Sequence, residues 1–308
     1  MRKLISVVIP AYNESACVDE LSVRLDAVFA GLPQYDFEVV IVENGSSDDT
    51  YELLCKIQAN DDRFKVIRLA RNFRTEGGIA AGLEVVKGDA VVIMTADLQD
   101  PPEVLPELIE KWEEGYDHVY AVVRRRQGTN PIRRLNAKIF YWIVGKLTGD
   151  MIPRDVAVFR LADRRVYEAV NAMPERNRIF RGLFAWVGFR SIGVEHERAP
   201  RFGGTSNSTT LYALDVALKG VAAYSVAPLK FIGALGLLVG SLSAVGLVAS
   251  LIVWLTAGFP AWGMGLSIAG AFTGVVLTCL GIVATYIGLV YEEVKSRPSF
   301  VVADRVGF

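Results

Sequence analysis

Asp97, Gln99 and Asp100 stand together where an apolar run ends. Residues 91–94 read Val-Val-Ile-Met; Thr95, Ala96, Asp97, Leu98, Gln99 and Asp100 follow, ahead of Pro101, Pro102 and Glu103. Carboxylate and amide oxygens are hard donors. They suit Mg²⁺ or Mn²⁺, and Mg²⁺ is commonly held by one or two carboxylates together with substrate phosphates. The spacing therefore points to a phosphate-bearing substrate. Side chains two residues apart on an extended chain face the same way. Asp97 and Gln99 are expected to hold one ion between them and a diphosphate. Asp100 is expected to cap a helix beginning at Pro101.

Two other apolar runs end in polar side chains. Pro10-Ala11-Tyr12-Asn13-Glu14 closes the first, with Tyr12 able to stack on a base and Glu14 to accept bonds from a ribose or base. Glu43-Asn44-Gly45-Ser46 closes the second. Each alone reads as a turn, Asn-Gly being a common turn pair. Together with Asp97 they converge on one crevice, as ligand sites do at strand ends of open α/β sheets. Cations follow at Arg124, Arg125 and Arg126, and again at Arg198 and Arg201 beside Gly203, Gly204, Thr205 and Ser206. Arginines suit phosphate recognition. The second group reads either as a phosphate clamp or as a linker.

The elements that position these residues follow from hydropathy. Apolar runs at 4–9, 37–42, 64–69 and 90–94 read as strands, and helical patterns fill 17–31, 50–59 and 75–86. Strand–helix alternation with short loops implies an α/β domain with a doubly wound parallel sheet. A further strand is expected at 118–123. Residues 133–147 form a basic amphipathic pattern that fits packing on the sheet or contact with an anionic membrane surface.

The chain has 308 residues, 52% of them hydrophobic, and the apolar excess is local: residues 231–291 hold no charged residue and no histidine. Stretches 229–255 and 266–290 each exceed the roughly 20 residues that cross a bilayer. They read as a transmembrane hairpin. Lys219 and Lys230 precede it, Lys295, Arg297 and Arg305 follow it, and the connector at 256–265 has no basic residue. By the positive-inside rule both ends are cytoplasmic. The expected organisation is a cytoplasmic domain at 1–208, a juxtamembrane amphipathic helix at 209–228, the hairpin at 229–291 and a cytoplasmic tail at 292–308. A net charge of −1 argues against a nucleic-acid partner. The three cysteines lie far apart with no CxxC pair, so they signal neither zinc nor a disulfide framework. The N-terminus lacks the pattern of a signal peptide. Gly233, Gly236 and Gly240 allow close helix packing, within the hairpin or in a homo-oligomer.

Taken in order, several stretches resemble the polyprenyl-phosphate branch of the family 2 glycosyltransferases, which have a GT-A fold. They are residues 6–14, 43–48, Arg71-Asn72-Phe73, Ala81-Gly82, 96–103, Phe159-Arg160-Leu161, 178–182 and 198–206, with the two-helix hairpin after them. The resemblance implies that Pro10, Tyr12, Glu14, Val42, Glu43 and Asn44 hold the nucleoside and that Ala96 lies along the ribose and phosphate. It implies that Asp97 and Gln99 hold the divalent metal, and that Arg198, Arg201 and Ser206 meet phosphates. Arg124 and Arg126 are expected near the reacting anions. The chain departs from the family pattern at Thr95, Asn44, Val123, Ala157-Val158 and Asn207, and Asp155 is the carboxylate nearest the position of Val158.

The implied activity is inverting transfer of a sugar from a nucleotide-sugar to a membrane polyprenyl phosphate. UDP-glucose is the first donor implied and GDP-mannose the second. Two alternatives remain open from the residues. One is a glycosyltransferase with a glycan acceptor, although no Q-x-x-R-W motif occurs. The other is a non-catalytic nucleotide-sugar or lipid-binding partner of a membrane protein.

Overall fold

A computed structural model describes residues 2–123, 156–176, 178–199, 202, 227–257 and 262–308. The chain divides into two units. One holds the N-terminal domain and the C-terminal residues from Arg297 to Phe308; the other holds the apolar helices.

The first unit is built on strands β1 (Lys3–Ala11), β2 (Tyr35–Glu43), β3 (Phe64–Leu69), β4 (Ala90–Ile93), β5 (His118–Val123), β6 (Val156–Asp163), β7 (Ser191–His196) and β8 (Val302–Val306). Their order in the sheet is β7-β5-β6-β4-β1-β2-β3-β8. β1, β2, β3 and β4 run parallel, as do β5 and β7. β6 runs against β4 and β5, and β8 against β3. The sheet is thus mixed, where the sequence pattern predicts a parallel one. The four strands on which that expectation rests, β1 to β4, do run parallel; the antiparallel β6 and β8 come from later residues that the alternation does not cover.

Helices α1 (Ser15–Ala30), α2 (Thr50–Asn60) and α4 (Leu105–Glu113) share one apolar core with the sheet. Helices α3 (Arg74–Val85), α5 (Arg164–Asn171) and α6 (Phe180–Trp186) cover the opposite face. This explains the unbroken apolar runs: Ile5, Val7, Val8 and Ile9 are all fully buried, because both faces of β1 are covered. α1 buries Val18, Leu21, Leu25 and Val28, the stripe expected of a helix lying on a sheet. α3 approaches β1 through glycine. A β-carbon at Gly78 would stand 2.8 Å from Pro10 Cβ, so the helix start is set directly against the end of β1.

β8 comes from the segment expected as a tail. Val66 pairs with Val306 and Arg68 with Asp304, and Tyr51 Oη donates to Asp304 Oδ2 at 2.5 Å.

The second unit contains helices α7 (Ala227–Ala257) and α8 (Trp262–Val294), which pack against each other. Pro228–Thr256 and Ala269–Val294 are long and apolar enough to cross a membrane. Several of their hydroxyls bond within the helix: Ser241 donates to Leu237 O and Thr256 to Ile252 O, each at 2.8 Å, and Thr285 to Gly281 O at 3.0 Å. Such back-bonding is what a hydroxyl needs where the solvent offers no partner.

Candidate active site

The ends of β4, β1 and β2 lie side by side. Val8 pairs with Ile93, Pro10 with Val42 and Ala11 with Glu43. The loops leaving them carry the residues singled out above, and those after β1 and β2 are fastened to each other.

The loop after β1 is joined to the loop after β2. Asn13 sits in the left-handed region at φ 54, its N–H donates to Ser46 Oγ at 3.0 Å, and its Oδ1 accepts from Ser47 N at 2.9 Å. Glu14 N donates to Thr50 Oγ1 at 3.0 Å, and Ser15 N to Asp48 Oδ2 at 3.2 Å. Burial alone would raise the Asp48 pKa, but hydrogen bonds from Thr50 and Ser15 outweigh it and hold the carboxyl below its ordinary value. Tyr12 is half-buried beside this joint, and Glu14 is buried.

Glu43 and Asn44 serve the backbone. Glu43 is fully buried; its Oε1 accepts from Ser46 N, and its Oε2 lies 3.4 Å from Arg68 Nε. Asn44 commits both ends of its amide to the start of α3. Nδ2 donates to Arg74 O at 2.7 Å and Oδ1 accepts from Phe73 N at 2.9 Å. Pro10 and Val42 are buried neighbours in register.

The Asp97 segment is a turn. Leu98 has φ 56, so Asp97 and Gln99 are not adjacent positions of an extended strand as the alternation rule assumes. The turn is stabilised through Asp97 itself: Oδ1 accepts from Thr95 Oγ1 at 2.8 Å and from Gln99 N at 3.3 Å. Thr95 thus orients the carboxylate at the position where an acid was expected. No group of three or more His, Cys, Asp or Glu side chains able to hold a metal occurs among the described residues. The oxygens of Asp97 and Gln99 still fit a hard cation whose remaining ligands are substrate phosphate and water.

Asp100 does not cap a helix. A 3₁₀ turn at Pro102–Val104 precedes α4, with no side-chain cap. Asp100 is instead fully buried, with Oδ1 3.0 Å from His196 Nε2 and 3.5 Å from Arg198 Nε. His196 escaped the sequence reading because nothing local marks it; it lies 96 residues away from Asp100. Arg198 is thereby placed beside the Asp97 turn. Arg124, Arg126, Asp155, Arg201 and Ser206, with the amphipathic pattern at 133–147 and all of 209–228 but its last two residues, lie outside the described residues.

A second polar cluster lies on the opposite face of the sheet. Arg160, 2% exposed, donates to Val158 O and Ala157 O, each at 3.0 Å, and stacks on Phe184. Burial lowers the Arg160 pKa to about 9 and that of neighbouring His118 to about 3. Glu76 accepts from Phe180 N at 3.2 Å, and burial raises its pKa. Arg160 thus fixes the backbone of the Ala157-Val158 pair.

The family model for glycosyl transferase family 2 matches residues 6–170. An uncharacterized glycosyltransferase of Synechocystis sp. is 40% identical over 98% of this chain and 96% of its own length. The SfII prophage-derived bactoprenol glucosyl transferase of Shigella flexneri is 35% identical over 97% of both chains. Among solved structures, mannosyl-3-phosphoglycerate synthase of Rubrobacter xylanophilus is similar at 18% identity, over 72% of this chain and 73% of its own, with a TM-score of 0.49.

Proposed function

We propose that this chain, which belongs to glycosyl transferase family 2, transfers a sugar from a nucleotide-sugar to a membrane polyprenyl phosphate. The observation that carries the reading is similarity along nearly the whole chain, spans included, to a relative named for that acceptor. UDP-glucose is the donor we favour, since that relative is named a glucosyl transferase; GDP-mannose comes second.

In this reading the joined loops after β1 and β2 receive the nucleoside. Tyr12 and Glu14 face it, while Glu43 and Asn44 hold the loop and the helix start behind it. Asp97 and Gln99 would hold a divalent cation, which when bound neutralises charge on the leaving diphosphate. Thr95 keeps the Asp97 carboxylate turned for that task. Arg198, with Arg201 and Ser206, would meet the phosphates, and Arg124 and Arg126 would offset repulsion between the two anionic reactants. The acceptor is a phosphate monoester with a second pKa of about 6. It needs positioning more than deprotonation, so Val158 in place of a carboxylate is compatible with turnover; Asp155 remains the nearest acid.

The spans would anchor the domain at the inner or plasma membrane, on the cytoplasmic side by the distribution of lysine and arginine. Asp97→Asn in membranes, supplied with radiolabelled UDP-glucose and undecaprenyl phosphate, is expected to abolish glycolipid formation. Undiminished turnover by the variant would remove Asp97 from the mechanism. Nucleotide binding without turnover by the unaltered chain would favour a non-catalytic binding partner.

A further inference from the structure

Four contacts join the end of β7 and the residues after it to the Asp97 turn, although about a hundred residues of chain separate them. His196 Nε2 lies 3.0 Å from Asp100 Oδ1 and Arg198 Nε 3.5 Å from the same oxygen. Ala199 N donates to Gln99 O at 2.9 Å, and Phe202 N to Asp97 O at 3.5 Å. The last two engage the main chain of the candidate metal ligands themselves.

The first contact is buried on both sides. The Asp100 and His196 side chains are 0% and 2% exposed. The Phe159 ring stands edge-on to the imidazole, with centroids 6.3 Å apart. Asp100 Oδ2 and His196 Nδ1 are buried and have no hydrogen-bond partner among the described residues. Among the described residues the imidazole therefore makes one hydrogen bond, and the carboxylate is its acceptor. A buried polar group stripped of its partner carries the full desolvation penalty, so the pair holds its two segments in a single register. Surface contacts of the Arg198 kind would do so only weakly.

We propose that Asp100 and His196 are positioning residues: a buried carboxylate–imidazole clip that docks the segment carrying Arg198 onto the Asp97–Gln99 turn. The cation and the two oxygen donors then form one rigid phosphate-reading unit. This rests on the reading of Asp97, Gln99 and Arg198 as diphosphate-binding groups. Neither clip residue touches substrate. Both act through the placement of Arg198, Ala199 and the turn. Loss of the clip should separate donor binding from the chemical step, because it loosens the phosphate site and leaves the reacting groups in place.

The test uses the full chain in lipid nanodiscs, with His196→Ala, His196→Gln and Asp100→Asn. The Gln amide nitrogen can donate to Asp100 as Nε2 does. Hydrogen exchange is measured first, without nucleotide. His196→Ala should speed exchange in residues 97–100 and 196–199 together, and leave β1 and β2 unchanged. UDP binding in Mn²⁺ should weaken by about tenfold, equivalent to about 1.4 kcal/mol. In turnover, KM for the nucleotide-sugar should rise with kcat within about twofold, the pattern of lost uniform binding. His196→Gln should recover most of each effect. Unchanged exchange in residues 97–100 in a folded His196→Ala protein overturns the clip. So does His196→Gln behaving no better than His196→Ala. If His196→Ala does not fold, Asp100→Asn and His196→Gln carry the same comparison. Failure of UDP to bind the unaltered chain would instead overturn the nucleotide-sugar reading, and the exchange result would still decide the clip.

Discussion

Gly82 and Val8 meet so closely that a β-carbon on Gly82 would stand 2.3 Å from Val8 Cγ1. The contact sets how near α3 lies to the central strand, and with it the position of the helix start that Asn44 holds. Gly82→Ala should lower stability by about 1–3 kcal/mol, the usual range for overpacking a core. Thermal unfolding of the detergent-solubilised chain checks this. An unchanged midpoint would mean that α3 can retreat without strain.

Asn44 is expected to matter through the backbone it binds. Asn44→Ala would leave the Phe73 N–H and the Arg74 carbonyl without their side-chain partner. Both bonds are only part-buried, so a loss of about 0.5–1.5 kcal/mol is expected for each. Asn44→Asp keeps the acceptor for Phe73 but turns an oxygen toward the Arg74 carbonyl, and should be no better. Denaturant titration of the three proteins gives the ranking. A destabilisation confined to nucleotide affinity would show that the side chain faces the ligand instead.

Glu38 gives the chain a predicted acid sensitivity. Burial alone would raise its pKa, but bonds from Lys65, Ser6 and Lys87 hold it below its ordinary 4.5. Ser6 Oγ donates at 2.5 Å, Lys65 Nζ at 2.8 Å and Lys87 N at 2.9 Å. A depressed folded-state pKa means that the stabilisation is complete above the ordinary carboxylate value. It is lost as pH falls through the lower folded value. Glu38→Gln should therefore be less stable at neutral pH and show a flatter loss of stability below pH 4.5. Parallel acid-unfolding slopes for the two proteins would contradict this.

β8 predicts the membrane topology without reference to charge. The chain leaves the sheet after β7, forms α7 and α8, and re-enters the same sheet at β8. If both helices cross the bilayer, residues before and after them face one compartment. Reporters fused at each end should give the same signal; under the proposed orientation it is the cytoplasmic one. Opposite signals would mean that only one helix spans. Deleting residues 302–308 should expose the edge of β3 and promote self-association, since an open strand edge is a template for pairing. Tyr51→Phe, which removes the hydroxyl that bonds Asp304 and Cys55, should have a smaller effect of about 0.5–1.5 kcal/mol.

What could be read from sequence followed from burial. β1, β2 and β4 are covered on both faces, so their apolar runs mark them plainly, and the polar residues just after them mark the crevice. The position of Asp97 just after β4 was legible for the same reason. The turn at Leu98 was not, because nothing in Asp-Leu-Gln announces a left-handed residue. Asp100 ahead of two prolines has the look of a cap, and its real partner, His196, is an isolated residue in a distant strand. β8 is short, and Ala303, Asp304 and Arg305 are exposed, so it carries no alternating signal and reads as tail. Arg160 lay in a recognised stretch, yet its burial against the Ala157 and Val158 carbonyls depends on Phe184 and Glu76, which only folding brings to it.

The return of the chain at β8 also orders its birth. Residues 302–306 are made after both apolar helices, so β3 stays an open edge throughout synthesis of the preceding 232 residues between Leu69 and Val302. Closing that edge has to wait until both apolar helices have been made. A chain whose helices stall on their way into the bilayer would hold its final strand away from its place, and the unclosed edge would be the visible sign of failed insertion.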